Sequence, residues 1–220
     1  SLQNALLDED IHRDVVSIIT QVVVDEHDPA LAQPTKFIGH QYRRRKAERL
    51  ARQFNWDIGR QTSGVWRRVV PSPQPLRINN ARSIRKLVEE GSIVIASGGG
   101  GIPAYIMRSG HFEGVDAVID KDLAAAVLGT DMGAQEMYIL TDVPEVCLNF
   151  NTANEQPLRK LTTAQAEKHL ADGQFPPGSM GPKISAALTF IRQGGKKVVL
   201  TDIDSIDRAL KGEAGTTIYK

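Results

Sequence analysis

Short apolar runs rich in Val and Ile alternate along this chain with stretches whose apolar residues recur at helical spacing. That alternation constrains the fold more than any other feature. A parallel strand pair needs a crossover, usually helical, and the crossovers cover both faces of the sheet. Leu2, Ala5 and Leu6 read as the end of a helix, and residues 15–24 as one long strand. Ile84, Leu87 and Val88 give residues 81–90 a helical face, closed by Gly91 before a strand over 92–97. Helices follow over 122–132, 162–171 and 183–192, the last ending at Gly194 and Gly195, with a short one over 203–210. Strands are expected over 137–142, 197–201 and 216–219. The expected fold class is α/β.

Between the first strand and Ala81 the texture changes, because Pro29, Pro34, Pro71, Pro73 and Pro75 punctuate it around one charged helix, 43–54, and a short strand, 66–70. Such a stretch is too irregular for a strand–helix–strand unit. It reads as a small lobe, residues 25–75, projecting from a core formed by 1–24 and 76–220, with Pro71-Ser72-Pro73 as a stiff return.

Charge excludes several classes of partner. With 27 Lys and Arg against 26 Asp and Glu in 220 residues, the formal charge is +1, so no global excess draws the chain to nucleic acid. The run Arg43-Arg44-Arg45-Lys46 is followed by Glu48 and reads as a solvated helix face. One cysteine, Cys147, allows no internal disulfide, which fits a reducing compartment, and a cytoplasmic location is expected. No apolar run reaches the roughly 20 residues of a membrane span, so no membrane partner is expected.

Ser97-Gly98-Gly99-Gly100-Gly101-Ile102-Pro103 follows a strand directly. Glycines in series leave backbone N–H groups open to phosphate or carboxylate oxygens, whereas a plain turn requires only one or two of them. Pro103 occupies the third glycine position of the dinucleotide fingerprint, and no Gly-Lys-Ser/Thr follows, so neither nucleotide fold with those motifs applies. A second cluster, Asp116-Ala117-Val118-Ile119-Asp120-Lys121-Asp122, opens a helix. Its carboxylates suit a helix start as caps, but Lys121 opposes the helix dipole and makes sense facing a polyanion. The carboxylates beside it would orient the Lys or hold a hydrated Mg²⁺. Third, Gly178-Ser179-Met180-Gly181-Pro182-Lys183 leads into a helix with Pro182 suited to its first position, leaving an N-terminus open to an anion. Leu140-Thr141-Asp142-Val143 stands at another strand end, where ligands of α/β sheets collect. Two lysines, a glycine cradle and an acidic cluster together describe phosphoryl transfer. The five histidines show no metal spacing, no metal ligand set is assigned to the protein, and Cys147 reads as inert burial.

The ordered motifs resemble the carbamate kinases, within the amino-acid kinase fold. They are Thr20-Gln21-Val22, Asp28-Pro29-Ala30, Pro34-Thr35-Lys36, Ile38-Gly39, the stretch from Trp66 to Pro73, the Gly98 to Pro103 loop, Ala117 to Asp122, Ile139 to Val143, Leu148-Asn149-Phe150, Gly178 to Lys183, and Gly215-Thr216. The resemblance implies a three-layer αβα sandwich around a mainly parallel sheet, a protruding lobe and a homodimer. It implies reversible phosphoryl transfer between MgATP and carbamate, giving carbamoyl phosphate and ADP, used for ATP formation in arginine-type or ureido catabolism. Lys183 would stabilise the phosphoryl group in flight, Lys121 would bind phosphate oxygens, and Asp122 would orient catalytic groups or the lysines. Lys36 would reach carbamate from the lobe. Gly98, Gly99, Gly100 and Gly101 would contribute backbone to substrate or phosphate, and Thr141, Asp142, Val143 and Met180 would lie around ATP or ADP, with Mg²⁺ accompanying the nucleotide.

Three departures accompany the resemblance. The family's Gly-Gly-Asn-Ala and Gly-Asn-Gly-Pro-Gln loops do not occur here, Gln61-Thr62-Ser63-Gly64-Val65 replaces Asp-Ala-Gly-Arg-Gly, and His40-Gln41 departs from the usual lobe motif. The first residues read as the interior of a family helix, so a chain lacking the family's N-terminal portion, and inactive as it stands, is expected. The alternative is a catalytically silent relative that binds nucleotide or a partner.

Overall fold

A computed structural model describes Ser1–Lys220. The chain divides into two compact units, Ser1–Asn80 with Ser92–Asp120, and Ala81–Gly91 with Lys121–Lys220.

The first unit begins with α1 (Leu2–Asp8), whose Ser1 hydroxyl accepts from the Asn4 amide, and continues through β1 (Val15–Ser17), β2 (Gln21–Val23), β3 (Lys36–Tyr42), α2 (Arg44–Phe54), β4 (Ile58–Arg60), β5 (Trp66–Val70) and β6 (Arg77–Ile78). After the excursion into the second unit come β7 (Ile93–Ile95), β8 (Ile102–Ile106) and β9 (Phe112–Gly114). β1 and β7 pair in parallel, and a second sheet runs β6-β2-β8-β9 with β2 and β8 parallel and the outer strands antiparallel. Residues 25–75 contribute an antiparallel sheet, β3-β5-β4, with α2 beside it. Val22, Val23, Val69, Val70, Ile78, Ala104 and Ile119 are buried in this unit.

The single strand expected over 15–24 is instead two, because the chain breaks at Ile18-Ile19-Thr20. The Thr20 hydroxyl donates to the Ile18 carbonyl at 3.2 Å and accepts from the Ser97 amide at 2.9 Å. Apolar composition alone concealed that side-chain interruption, which matches the glycine break between the partner strands β7 and β8.

The second unit contains α3 (Ala81–Glu89), α4 (Lys121–Asp131), β10 (Glu136–Leu140), β11 (Val146–Leu148), β12 (Gln156–Leu158), β13 (Lys160–Thr162), α5 (Thr163–Ala171), α6 (Met180–Arg192), β14 (Lys197–Thr201), α7 (Ile206–Leu210) and β15 (Thr216–Tyr219). Its sheet runs β10-β14-β15-β13, parallel at both outer pairs and antiparallel between β14 and β15. The two-residue period of a strand sorts its side chains between layers. Ile139, Val198, Leu200 and Ile218 pack in one cluster with Ile184, Leu188 and Phe190 of α6, whereas Val199 and Tyr138 cluster with Ala209 of α7. Helix, sheet and helix therefore form three layers within this unit.

Helix starts follow local chemistry. Thr162 caps α5 with a full capping box to Gln165. α6 begins at Met180, three residues earlier than expected, because Pro182 lies in a first turn whose N–H groups have no helical partner to lose. The helix expected over 203–210 shortens to α7, since the Asp202 carboxylate takes the Ser205 amide at 2.9 Å and holds the preceding residues in a turn. α4 and α6 approach closely because Gly129 has no side chain: a Cβ there would stand 2.9 Å from the Phe190 ring. No helix is long and apolar enough to cross a membrane.

Candidate active site

The packed pair α4 and α6 brings two first turns together. Asp122, second residue of α4, and Lys183, fourth residue of α6, are both buried, and Lys183 Nζ donates to Asp122 Oδ2 at 2.8 Å. Lys121 Nζ stands 3.4 Å from the same oxygen, and its side chain is 57% exposed. Two ammonium groups thus share one carboxylate at the positive ends of two helices. α6 has no acidic residue in its first turn, and Ser179 makes no side-chain capping bond. A surplus of positive charge at an uncapped helix start suits an anion with several oxygens.

One turn back along α6, Met180 lines a cavity of about 200 Å³. Thr141, Asp142 and Val143, which follow β10, line it too, so the four residues that the resemblance places around nucleotide share one pocket. Its other walls include Phe150 and Ser179, which lie in motifs the sequence already singled out without a pocket role, and Phe175 and Glu145, which sequence reasoning missed. Phe175 comes from the loop between α5 and α6, and nothing in its local pattern distinguishes it from a core residue. Cys147, expected to be inert and interior, is only half buried on β11 and lines this cavity. Burial pushes its thiol above the usual cysteine range, and the carboxylates of Glu155 and Glu145 push it the same way.

In the first unit, Lys36 opens β3, and its Nζ donates to Asp120 Oδ2 at 2.5 Å. The Asp120 side chain is only 11% exposed. The acidic cluster therefore does not act as one group: Asp116 faces Arg68 at 3.2 Å, Asp120 holds Lys36, and Asp122 holds Lys183. No group of three His, Cys, Asp or Glu side chains is placed to hold a metal ion. Gly98 to Gly101 form the turn between β7 and β8. Gly100 packs against the Ile119 carbonyl, and a Cβ at Gly101 would stand 2.6 Å from the Val22 side chain. The loop thus touches the segment that carries Asp120.

Residues 11–202 match the model of the amino acid kinase family. The chain is 44% identical over 218 residues to a carbamate kinase of Pyrococcus horikoshii, which covers 99% of this chain and 69% of that protein. It is 42% identical to the carbamate kinase-like protein YahI of Escherichia coli, over 93% of this chain and 65% of that one. Among solved structures, carbamate kinase from Giardia lamblia bound to AMP-PNP superposes with a TM-score of 0.88 at 35% identity, covering 100% of this chain and 69% of that one. With parallel strands under helices, paired lysines at two helix starts and these relatives along almost its whole length, the chain belongs to the amino acid kinase family, beside the carbamate kinases, and is a phosphotransferase by descent and fold.

Proposed function

We propose that the chain carries the residues of a carbamate kinase, which moves a phosphoryl group between carbamoyl phosphate and ADP. The observation that carries the reading is the buried Lys183, held by Asp122 at 2.8 Å beside a second lysine. In the direction of ATP formation, a β-phosphate oxygen of ADP forms a bond to phosphorus while the bond from phosphorus to the carbamoyl oxygen breaks, leaving carbamate and ATP. Negative charge spreads over the phosphoryl oxygens in that step, and fixed cations that need no reorganisation stabilise it. Lys183 supplies one such cation, Asp122 fixes its position, and Lys121 binds phosphate oxygens from its exposed place. The cavity beside Met180 takes the base and sugar, with Phe175 and Val143 as apolar walls and Thr141 and Asp142 as polar ones. Lys36, oriented by Asp120, binds the carboxylate of carbamate together with the amides of the glycine loop. With no protein cage for a metal, Mg²⁺ enters on the nucleotide phosphates as part of the substrate.

The family's Gly-Gly-Asn-Ala and Gly-Asn-Gly-Pro-Gln loops, which do not occur in these 220 residues, would add backbone donors to the same chemistry, and we infer that full turnover requires them. The test is ATP formation from carbamoyl phosphate and MgADP, by this chain and by a fusion that adds a segment bearing those two loops ahead of it. The expected result is MgADP binding by both and turnover on the order of 1–100 s⁻¹ by the fusion. A folded fusion that binds MgADP and forms no ATP would replace this reading with a silent nucleotide-binding protein.

A further inference from the structure

We propose that Ser97 is a substrate-binding residue whose hydroxyl, by rotation about its Cα–Cβ bond, donates a hydrogen bond to the small anion held in the glycine loop. On the functional reading above, that anion is carbamate, with its charge on the carboxylate, or carbamoyl phosphate, with its charge on the phosphate oxygens. This inference rests on that reading for the ligand's identity but not for the site.

Ser97 is buried, and its Oγ has no hydrogen-bond partner in the folded chain. Its backbone is in the left-handed region, with φ of 60°, where serine has none of glycine's freedom. The conformation is pinned from both sides: the Ser97 amide donates to Thr20 Oγ1 at 2.9 Å, and the Gly100 amide donates to the Ser97 carbonyl at 2.6 Å. A buried hydroxyl without a partner costs stability, and so does a serine in this conformation. The folded chain alone draws no return from either.

The glycines divide by what they are needed for. Gly100 and Gly101 are required by close packing against Ile119, Thr20 and Val22, and Gly98 by its φ of 41°. Gly99 has no left-handed backbone, and an added Cβ would meet nothing within 4 Å. Neither the fold nor the packing explains it. The amides of Gly98 and Gly99 make no hydrogen bond within the chain, both residues are exposed, and a Cβ added at either would meet nothing within 4 Å. Two free amides beside an unpartnered hydroxyl form a donor set for an anion. A cation supports the same unit, since Gly100 rests on Ile119, and the next residue, Asp120, holds Lys36.

The experiment compares the wild-type chain with Ser97→Ala and with Ser97→Gly, which also relieves the backbone. Titration calorimetry with carbamoyl phosphate, inorganic phosphate and MgADP is run beside urea unfolding without ligand. The expected result is a loss of about tenfold or more in affinity for carbamoyl phosphate and phosphate in both variants, the effect of one hydrogen bond to an ionised group. MgADP affinity stays unchanged, and unliganded stability is equal or higher. Unchanged anion affinity in the variants overturns the proposal, as does a wild-type chain that binds neither anion. A parallel fall in unliganded stability and anion affinity in both variants also overturns it, by making Ser97 structural. Phosphate binding that depends on Ser97 in a protein whose fusion forms no ATP would leave this inference standing while the carbamate kinase reading fell.

Discussion

Asp122 Oδ2 lies 2.8 Å from Lys183 Nζ and 3.4 Å from Lys121 Nζ, so one buried oxygen answers two ammonium groups of unequal exposure. Removing one member of a buried ion pair strands the other and costs about 3–5 kcal/mol. Asp122→Asn strands two cations, of which only Lys121 can turn to water. Lys183→Ala leaves the carboxylate with Lys121. Urea unfolding is therefore expected to show the larger loss, about 3–5 kcal/mol, for Asp122→Asn and a smaller one for Lys183→Ala. The reverse order would mean that Asp122 does not depend on both lysines for its charge balance.

Lys121 separates function from stability. Its side chain is 57% exposed, so its contact with Asp122 is screened, and Lys121→Ala should alter stability by no more than about 0.5 kcal/mol. In the loop-bearing fusion, the proposed action of this cation on charge that grows in the transition state predicts that the same change lowers kcat by about 10²-fold. Lys183→Ala should lower kcat at least as far. Near-normal turnover in Lys121→Ala would return this residue to an ordinary helix start.

Much of the second unit was readable because its signals are local. The sheet strands there alternate with helices of sufficient length, and Thr162 with Gln165 announces the start of α5. The partners of the charged residues were not readable, since Lys36 and Asp120 lie 84 positions apart, and Asp122 and Lys183 lie 61 apart. Sequence reasoning grouped Asp116, Asp120 and Asp122 by proximity, whereas the fold sends each to a different cation. The short strands β3, β4, β9, β11 and β12 also escaped the sequence pattern. They are held by pairing with distant partners or across hairpins; four of them are three-residue runs with too little periodicity to show it, and the seven-residue β3 is broken in register between Ile38 and Tyr42, around Gly39. In the sequence Ser97 is only the first letter of a glycine loop, because neither its left-handed backbone nor its orphaned hydroxyl leaves a mark there.

Cys147 lines the cavity and so offers a test of its proposed occupancy by nucleotide. Burial first, then Glu155 and Glu145, raise its pKa, so the thiolate is scarcer at neutral pH than for an ordinary cysteine. Alkylation by iodoacetamide should be slow at pH 7 and rise about tenfold per pH unit, with no plateau until above the usual value of about 8.5. Glu155→Gln removes one repulsive charge and should shift that profile to lower pH. Saturating MgADP should protect the thiol, as read by mass spectrometry of the modified chain. A pH profile that levels off near neutrality would contradict the raised thiol pKa, and labelling indifferent to MgADP would show that the nucleotide does not occupy this cavity.

Gly129 tests whether helix packing sets the lysine geometry. A Cβ at this position would stand 2.9 Å from Phe190 Cε2 and 3.3 Å from Cδ2, and Phe190 is fully buried, with Gly195 closing its other side. The ring has nowhere to retreat, so Gly129→Ala must push α4 away from α6. Overpacking of this kind costs about 1–3 kcal/mol, well beyond the gain an exposed helical Gly→Ala change brings. The displaced helix also carries Asp122, so its bond to Lys183 should lengthen although neither residue is altered. In the fusion, Gly129→Ala is expected to fall in kcat more than in MgADP affinity, since the Met180 cavity is not built from α4. Phe190→Leu, which removes the ring's far edge, should restore part of the turnover in the double variant. A Gly129→Ala protein with lowered stability and normal kcat would show that the close approach of α4 and α6 serves the core alone.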